Sequence, residues 1–251
     1  NFNRLNAGKK TIRNQIINHL NCIMAQPAAH TAILFFARRS AAEAREKTLT
    51  PVRNEAVLQY LRDHAWRTAR ATGLPCLIVD ERRQQGATFG ERFTHAMQQV
   101  FRQGYRQVIA IGGDVPDLRK QHIQRAANLL QQHDWVLGPD FRGGAYLIAC
   151  TREAFAKNPH LHTLPWQTSY TLKSLLRSAR RRQQSVVLLS VLHDLNQGSD
   201  LKRWLAHGGQ HRLRRLLPGI LQPPTIPVSP SVLFSPLLSR SCAGRAPPTA
   251  R

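Results

Sequence analysis

The sequence predicts an α/β protein in three layers, α/β/α, with a mostly parallel sheet. Three observations lead there. Apolar runs of five to eight residues alternate with stretches whose apolar residues recur at helical spacing. Glycines close two of those stretches, at Gly73 and Gly104. The chain, 251 residues long, can bury a full core around one such sheet.

Element by element, order is expected to begin near Thr31. TAILFFA (31–37) reads as a buried strand. The segment 54–72 places Val57, Leu61, Ala65 and Ala69 at helical spacing. LPCLIV (74–79) is the second strand. The segment 88–104 is an amphipathic helix with Phe93, Met97, Val100 and Phe101 on one side. RQVIAIG (106–112) is the third strand. A helix follows over 118–132, with Asp117 as its expected N-cap. WVLGP (135–139) and GAYLIAC (144–150) are adjacent strands, which suggests one antiparallel element. A helix over 169–182, a strand over 185–192 and a last helix over 199–207, opened by Ser199, complete the domain.

The flanks differ in kind. Residues 1–29 read as a flexible flank, 30–210 as the folded domain, and 211–251 as a disordered, proline-rich basic tail. Met24 reads as a native start, because MAQPAAHTAILFF leads straight into the first strand. Lys and Arg number 36 against 14 acids, a formal charge of +22. All 14 acids lie between Glu43 and Asp200, and 10 of the basic residues stand in the acid-free flanks. Non-specific nucleic-acid binding is therefore expected to follow the flanks. The four cysteines form no CxxC, which argues against a zinc site; Cys76 and Cys150 read as small core residues of a reduced, cytoplasmic protein. No apolar run reaches 18 residues, so no membrane span is expected. TIRNQIINHLNCIM is too polar for a secretory leader.

In an open parallel sheet, ligands bind beyond the carboxyl ends of the strands. Four stretches fall there: 37–47, 112–118, 141–146 and 192–201. A shared crevice would gather Arg38, Lys47, Asp114, Gly143, Gly144 and Asp194. Two carboxylates, two cations and a glycine turn suit a metal-bound diphosphate. Mg²⁺ or Mn²⁺ takes one or two carboxylates plus phosphate oxygens, and cations neutralise a leaving diphosphate. Each residue also has a plainer use. Asp114 after Gly112-Gly113 is what a turn needs, Asp194 can orient the turn before the last helix, and Gly143-Gly144 can serve a hairpin alone. Arg38 can be solvated. Trp166 can pack, or stack on a sugar or base. Because Val108, Ile109 and Ile111 supply the burial of its strand, Asp114→Asn is expected to leave the fold within about 1 kcal/mol. There is no GxxxxGK[ST], no GxGxxG after the first strand and no GxSxG, which argues against a P-loop ATPase, a dinucleotide oxidoreductase and a serine hydrolase.

Taken together, ILFFARRSAAEAREK, GATFGERF, VIAIGGDVPDL, VLGPDFRGGAYLI, LPWQT and LHDLNQGSDL resemble a bacterial family of GT-A-fold, glycosyltransferase-like proteins. That family is related to CofC-type guanylyltransferases and, more distantly, to MobA-like nucleotidyltransferases. The resemblance covers residues 31–207. It implies a nucleotide-diphospho-sugar transferase fold, a donor nucleotide under the first strand's loop, and a divalent metal at an aspartate that matches Asp114. The late turn matches Asp194 and Asp200. The resemblance also brings Gly90, Glu91 and Arg92 of GATFGERF, with Arg38, Lys47, Gly143, Gly144 and Trp166, into the expected nucleotide or substrate site. Two departures stand out: the first loop has neither the proline nor the glycine common in the family, and Arg142 replaces an acid before Gly143-Gly144. The resulting expectation is a metal-dependent transferase using a nucleotide-activated sugar donor and an unnamed acceptor. Nucleotidyl transfer from an NTP and a non-catalytic basic binding protein are the alternatives.

Overall fold

TAILFF forms strand β1 (Thr31–Phe36), and its β-branched and aromatic residues point alternately to two buried faces. The structure, a computed structural model, describes residues 30–206. The expectations for 1–29 and 211–251, including Met24, Cys22 and Cys242, lie outside the described residues.

Six strands form one sheet. They are β1, β2 (Cys76–Val79), β3 (Gln107–Ile111), β4 (Trp135–Pro139), β5 (Ala145–Thr151) and β6 (Val186–Leu188), in the order β2-β1-β3-β5-β4-β6. β1 pairs in parallel with β2 and β3, and β6 in parallel with β4. β5 is the reversed strand, antiparallel to both β3 and β4. The helices are α1 (Ser40–Glu43), α2 (Asn54–Arg70), α3 (Phe89–Arg102), α4 (Lys120–Leu129), α5 (Arg152–Ala156), α6 (Thr171–Arg181) and α7 (Gly198–Ala206), with a 3₁₀ turn at Leu161–Thr163.

Alternation along the strands sorts the core into two faces. Leu34, Val108 and Ile148 meet Phe93, Met97 and Val100 of α3 and Leu175 of α6. Ile33, Phe35, Ile109 and Leu147 meet Ala65 of α2 and Ile123 of α4. A third cluster, with Leu49, Leu58, Leu61, Leu195 and Trp204, binds the first loop, α2 and α7 together. The three-layer α/β/α arrangement with a mostly parallel sheet is the fold class that the sequence predicts.

Several local expectations are corrected. Asp117 does not cap α4; the N-cap is Arg119, and Asp117 Oδ2 instead accepts from Trp204 Nε1 at 2.7 Å. Ser199 does not open α7, which starts at Gly198; Asp200 in its first turn accepts from the Asn196 and Gln197 amides. The strand expected over 185–192 ends at Leu188. It is an edge strand with β4 as its partner, and β4 stops at Pro139, which has no amide to donate; beyond Leu188 the Leu189 amide donates to the Leu137 carbonyl at 2.8 Å and the Leu192 amide to the Pro139 carbonyl at 3.1 Å. Leu188 is accordingly 47% exposed. α1, α5 and the 3₁₀ turn were not anticipated, being too short to show a period. Cys76 and Cys150 are free thiols, Cys150 fully buried. Among the described residues no helix is long and apolar enough to cross a membrane.

Candidate active site

The exits of β1 and β3, the β4–β5 turn, the loop before α6 and the segment before α7 surround a crevice of about 750 Å³. At its floor lies a charged cluster drawn from three distant parts of the chain. Glu43 and Lys47 stand four residues apart beyond β1, and Lys47 is only 7% exposed. Lys47 Nζ donates to Asp114 Oδ2 at 2.6 Å and lies 3.6 Å from Glu43 Oε1. Asp114 follows the Gly112-Gly113 exit of β3. The Leu195 amide donates to the Asp114 carbonyl at 3.0 Å, which fixes the segment carrying Asp194 against it. Asp194 Oδ2 accepts from Asn196 Nδ2 at 2.9 Å, while Asp194 Oδ1 is buried without a hydrogen-bond partner.

These contacts divide the ionisation of the two carboxyls. Burial raises the Asp194 carboxyl well above the ordinary range, and the neighbouring negative charge of Asp114 raises it further. Burial acts most strongly on Asp114 too, but the Lys47 charge together with hydrogen bonds to Asp194 and Lys47 outweighs it and holds that carboxyl below its ordinary value. Lys47 in turn is penalised by burial and more than compensated by Asp114, Asp194 and Glu43, so it stays charged. Glu43 is raised, chiefly by burial. The two carboxyls are thus pushed apart, and of the two it is Asp194 whose neutral form the surroundings favour.

The donor set fits a hard divalent cation. It consists of oxygens only, two carboxylates lie side by side, and one carboxyl oxygen has no protein partner. Among the described residues no three or more His, Cys, Asp or Glu side chains come together as a metal cage. A cation bound by Asp114 and Asp194 would need phosphate and water oxygens to complete its shell.

The other expected site residues divide. Arg38, Arg92, Gly144 and Trp166 line the crevice with Asp114 and Asp194. The Arg38 guanidinium pairs with Glu46, and Arg92 donates to the Ala87 carbonyl at 2.8 Å. Lys47 sits beneath the surface of the crevice, against Asp114. Gly90 and Glu91 are turned to structural tasks. A Cβ on Gly90 would stand 2.0 Å from the His162 carbonyl oxygen and 2.6 Å from the Trp166 ring, so Gly90 lets α3 approach the 3₁₀ turn. Glu91 closes a capping box with Thr88 and accepts from the Ala87 amide at 2.7 Å. Gly143, at φ +86°, makes the β4–β5 turn and lies where a Cβ would meet the Ser169 carbonyl oxygen at 2.2 Å. The Leu172 amide donates to the Gly143 carbonyl at 3.0 Å, joining this turn to α6.

Sequence reasoning missed four contributors. Glu43 was legible in its i, i+4 spacing to Lys47. Arg62, which lines the crevice and donates to the Arg38 carbonyl, looks on paper like any solvated helix arginine. Asn196 orients Asp194. Arg142, the departure from an acid, pairs with Asp200 at 3.0 Å and ties the β4–β5 turn to α7, while Asp140 accepts from the Arg142 and Gly144 amides of that turn.

A six-stranded, mostly parallel sheet with one reversed strand and a carboxylate-floored crevice at the strand exits belongs to the nucleotide-diphospho-sugar transferase-like folds. A Desulfovibrio desulfuricans G20 protein described as a candidate nucleotide-diphospho-sugar transferase has this fold; its crystal structure superposes with TM-score 0.65 at 22% identity, covering 76% of this chain and 95% of that one. The chain belongs to the bacterial family described as "Uncharacterized protein conserved in bacteria (DUF2064)", whose model matches residues 30–168. Asp194 and Asp200 lie beyond the matched residues. The 2-phospho-L-lactate guanylyltransferase of Methanocaldococcus vulcanius is 25% identical over 126 residues, 49% of this chain and 55% of the relative. The chain thus spans about half the length of that curated relative. A manganese complex of a Mycobacterium tuberculosis H37Rv protein superposes more loosely, with TM-score 0.43 at 18% identity, over 71% of this chain and 98% of that one.

Proposed function

We propose that the chain is a transferase that takes a nucleotide-activated sugar in this crevice with Mg²⁺ or Mn²⁺ held between Asp114 and Asp194. The observation that carries the reading is the partly buried carboxyl pair, with Asp194 Oδ1 itself buried and without a hydrogen-bond partner, lying against the buried Lys47. A divalent cation there would screen the donor's diphosphate and stabilise it as a leaving group. Lys47 neutralises Asp114, which offsets part of the desolvation penalty of bringing the two charges together below the surface. Arg38 and Arg62, at the mouth beside the β1 exit, suit phosphate oxygens. Gly113 lies close against Ala37 and Arg62, and with Gly112 it leaves the β3 exit open to a ligand. Nucleotidyl transfer from an NTP is the second reading, favoured by the guanylyltransferase relative.

Asp194→Asn is the sharpest test. Burial and the Asp114 charge already favour the neutral form of this carboxyl, so a neutral amide of the same shape should cost less than about 1 kcal/mol of stability. It should nevertheless remove Mn²⁺-dependent nucleotide binding, because an amide is a poor ligand for a hard cation. Asp114→Asn should also lose binding, but at a larger cost of about 2–3 kcal/mol, since it breaks a buried ion pair that Asp194 and Glu43 compensate only in part. The structure thereby revises the near-neutral cost expected from the sequence. Melting temperatures and calorimetric titration of GDP and UDP, with and without Mn²⁺, check both variants. Unchanged Mn²⁺-dependent binding in Asp194→Asn would return both aspartates to turn residues.

A further inference from the structure

One wall of the crevice takes no part in the charged cluster. Phe36, Phe89, Phe93 and Trp166 line it, with successive ring centroids 5.0–6.0 Å apart in edge, tilted and stacked pairs. Phe93 is buried, whereas Phe36, Phe89 and Trp166 are only partly buried and keep surface toward the crevice. Three polar groups of the same wall are already engaged. Trp166 Nε1 donates to the Leu161 carbonyl at 2.9 Å, and the Thr168 and Thr171 hydroxyls donate to the Pro165 carbonyl at 2.7 and 2.9 Å. A nucleobase is selected by donors and acceptors at its edge. This wall offers ring faces instead, and a further flat ring would extend the array at the separations aromatic pairs prefer. Its position relative to the carboxylates follows from the register. Phe36 stands one step beyond the Phe35–Ile111 pair, abreast of Gly112. Asp114 follows two residues on, and its carboxylate turns back to within 2.9 Å of where a Cβ on Gly112 would stand, so the wall begins beside the proposed metal site.

We infer that this wall is the acceptor subsite and that it takes a planar aromatic ring bearing the acceptor hydroxyl, as in a phenol. The inference rests on the transferase reading above. In the transfer, the acceptor oxygen bonds to the anomeric carbon of the donor sugar as the bond from that carbon to the diphosphate oxygen breaks. The nucleoside diphosphate leaves with the electron pair, and the hydroxyl proton passes to water at the mouth of the crevice.

The test uses the full chain and 2-naphthol as the ring probe, titrated by calorimetry. Binding should be saturable and should change less than twofold when GDP or UDP with Mn²⁺ is already bound. Decahydro-2-naphthol, with the same skeleton but no flat ring, should bind at least tenfold more weakly. Phe89→Leu should weaken 2-naphthol at least tenfold while nucleotide affinity stays within twofold. Displacement of 2-naphthol by the nucleotide would overturn the inference by giving the wall to the donor's base. Equal binding of the saturated analogue, or an unchanged affinity in Phe89→Leu, would overturn it as well. The competition and analogue arms need no variant, so they decide even if Phe89→Leu does not fold. If neither nucleotide binds the unaltered chain, the transferase reading fails, and the saturated-analogue arm still reports on the wall.

Discussion

Asp114 and Asp194 carry the same side chain, and their pKa values move in opposite directions. Burial presses both toward the neutral form; the Lys47 nitrogen at 2.6 Å, with the hydrogen bond between the two carboxyls, lets Asp114 resist. Such outcomes were only half legible beforehand. The sequence singles out both aspartates and Lys47, but that Lys47 is buried against Asp114 needs the third dimension. Gly90 and Glu91 show the reverse. They look like ligand-facing residues of a shared motif, and their neighbours make one a packing glycine and the other a cap. Gly90→Ala should therefore destabilise by about 1–3 kcal/mol through overpacking against the His162 carbonyl and the Trp166 ring, read as a lowered melting temperature. Glu81 gives a pH signature. Burial raises its carboxyl, but the carboxylate accepts from the Arg39 amide at 2.9 Å and pairs with the Arg39 guanidinium at 2.7 Å, and these contacts together hold its pKa at about 2. A depressed carboxylate stabilises the fold above its unfolded pKa and loses that stabilisation as pH falls through the folded value. Glu81→Gln should thus cost about 1 kcal/mol near pH 7, a figure reduced for solvent screening, and the difference should close toward pH 2. Melting curves of both proteins from pH 2 to 7 check this.

At the scale of elements, strands buried on both faces were the most legible. The apolar runs at 31–36 and 107–111 have lengths and β-branched content that helices of this size lack. The reversal of β5 could be read from the five residues between it and β4, too few for a crossover. What escaped depends on partners rather than on composition. β6 is short because β4 ends in proline, and Asp117 is drawn away from α4 by an indole 87 residues later. That bond gives an element-scale test. Asp117→Ala would leave Trp204 Nε1 without this acceptor and loosen α7 against the β3–α4 loop. The expected cost is about 1–2 kcal/mol by denaturant melting, with the sheet's circular dichroism unchanged. A loss as small as that of an ordinary surface substitution would show that α7 is held without this bond, by its apolar face and the Arg142–Asp200 pair.

For the whole molecule, charge and fold separate along the chain. The acids are confined to 43–200, and the described sheet and its three apolar clusters lie within 30–206. A chain trimmed to residues 24–210 should melt within a few degrees of the full chain and bind RNA more weakly at equal salt, because most of the acid-free flanks are gone. A large loss of melting temperature, or undiminished RNA binding, would contradict this. The Leu195–Asp114 backbone bond has a further consequence, one of timing. It brings a residue from near the end of the domain to the exit of its third strand. On the ribosome, β1 through β5 can emerge and pair while the floor of the crevice still lacks its second carboxyl and Lys47 and Asp114 lie open to water. Ligand-binding competence would then arrive only after the first five strands are paired, when the segment around Asp194 clears the exit tunnel and α7 closes over the third cluster.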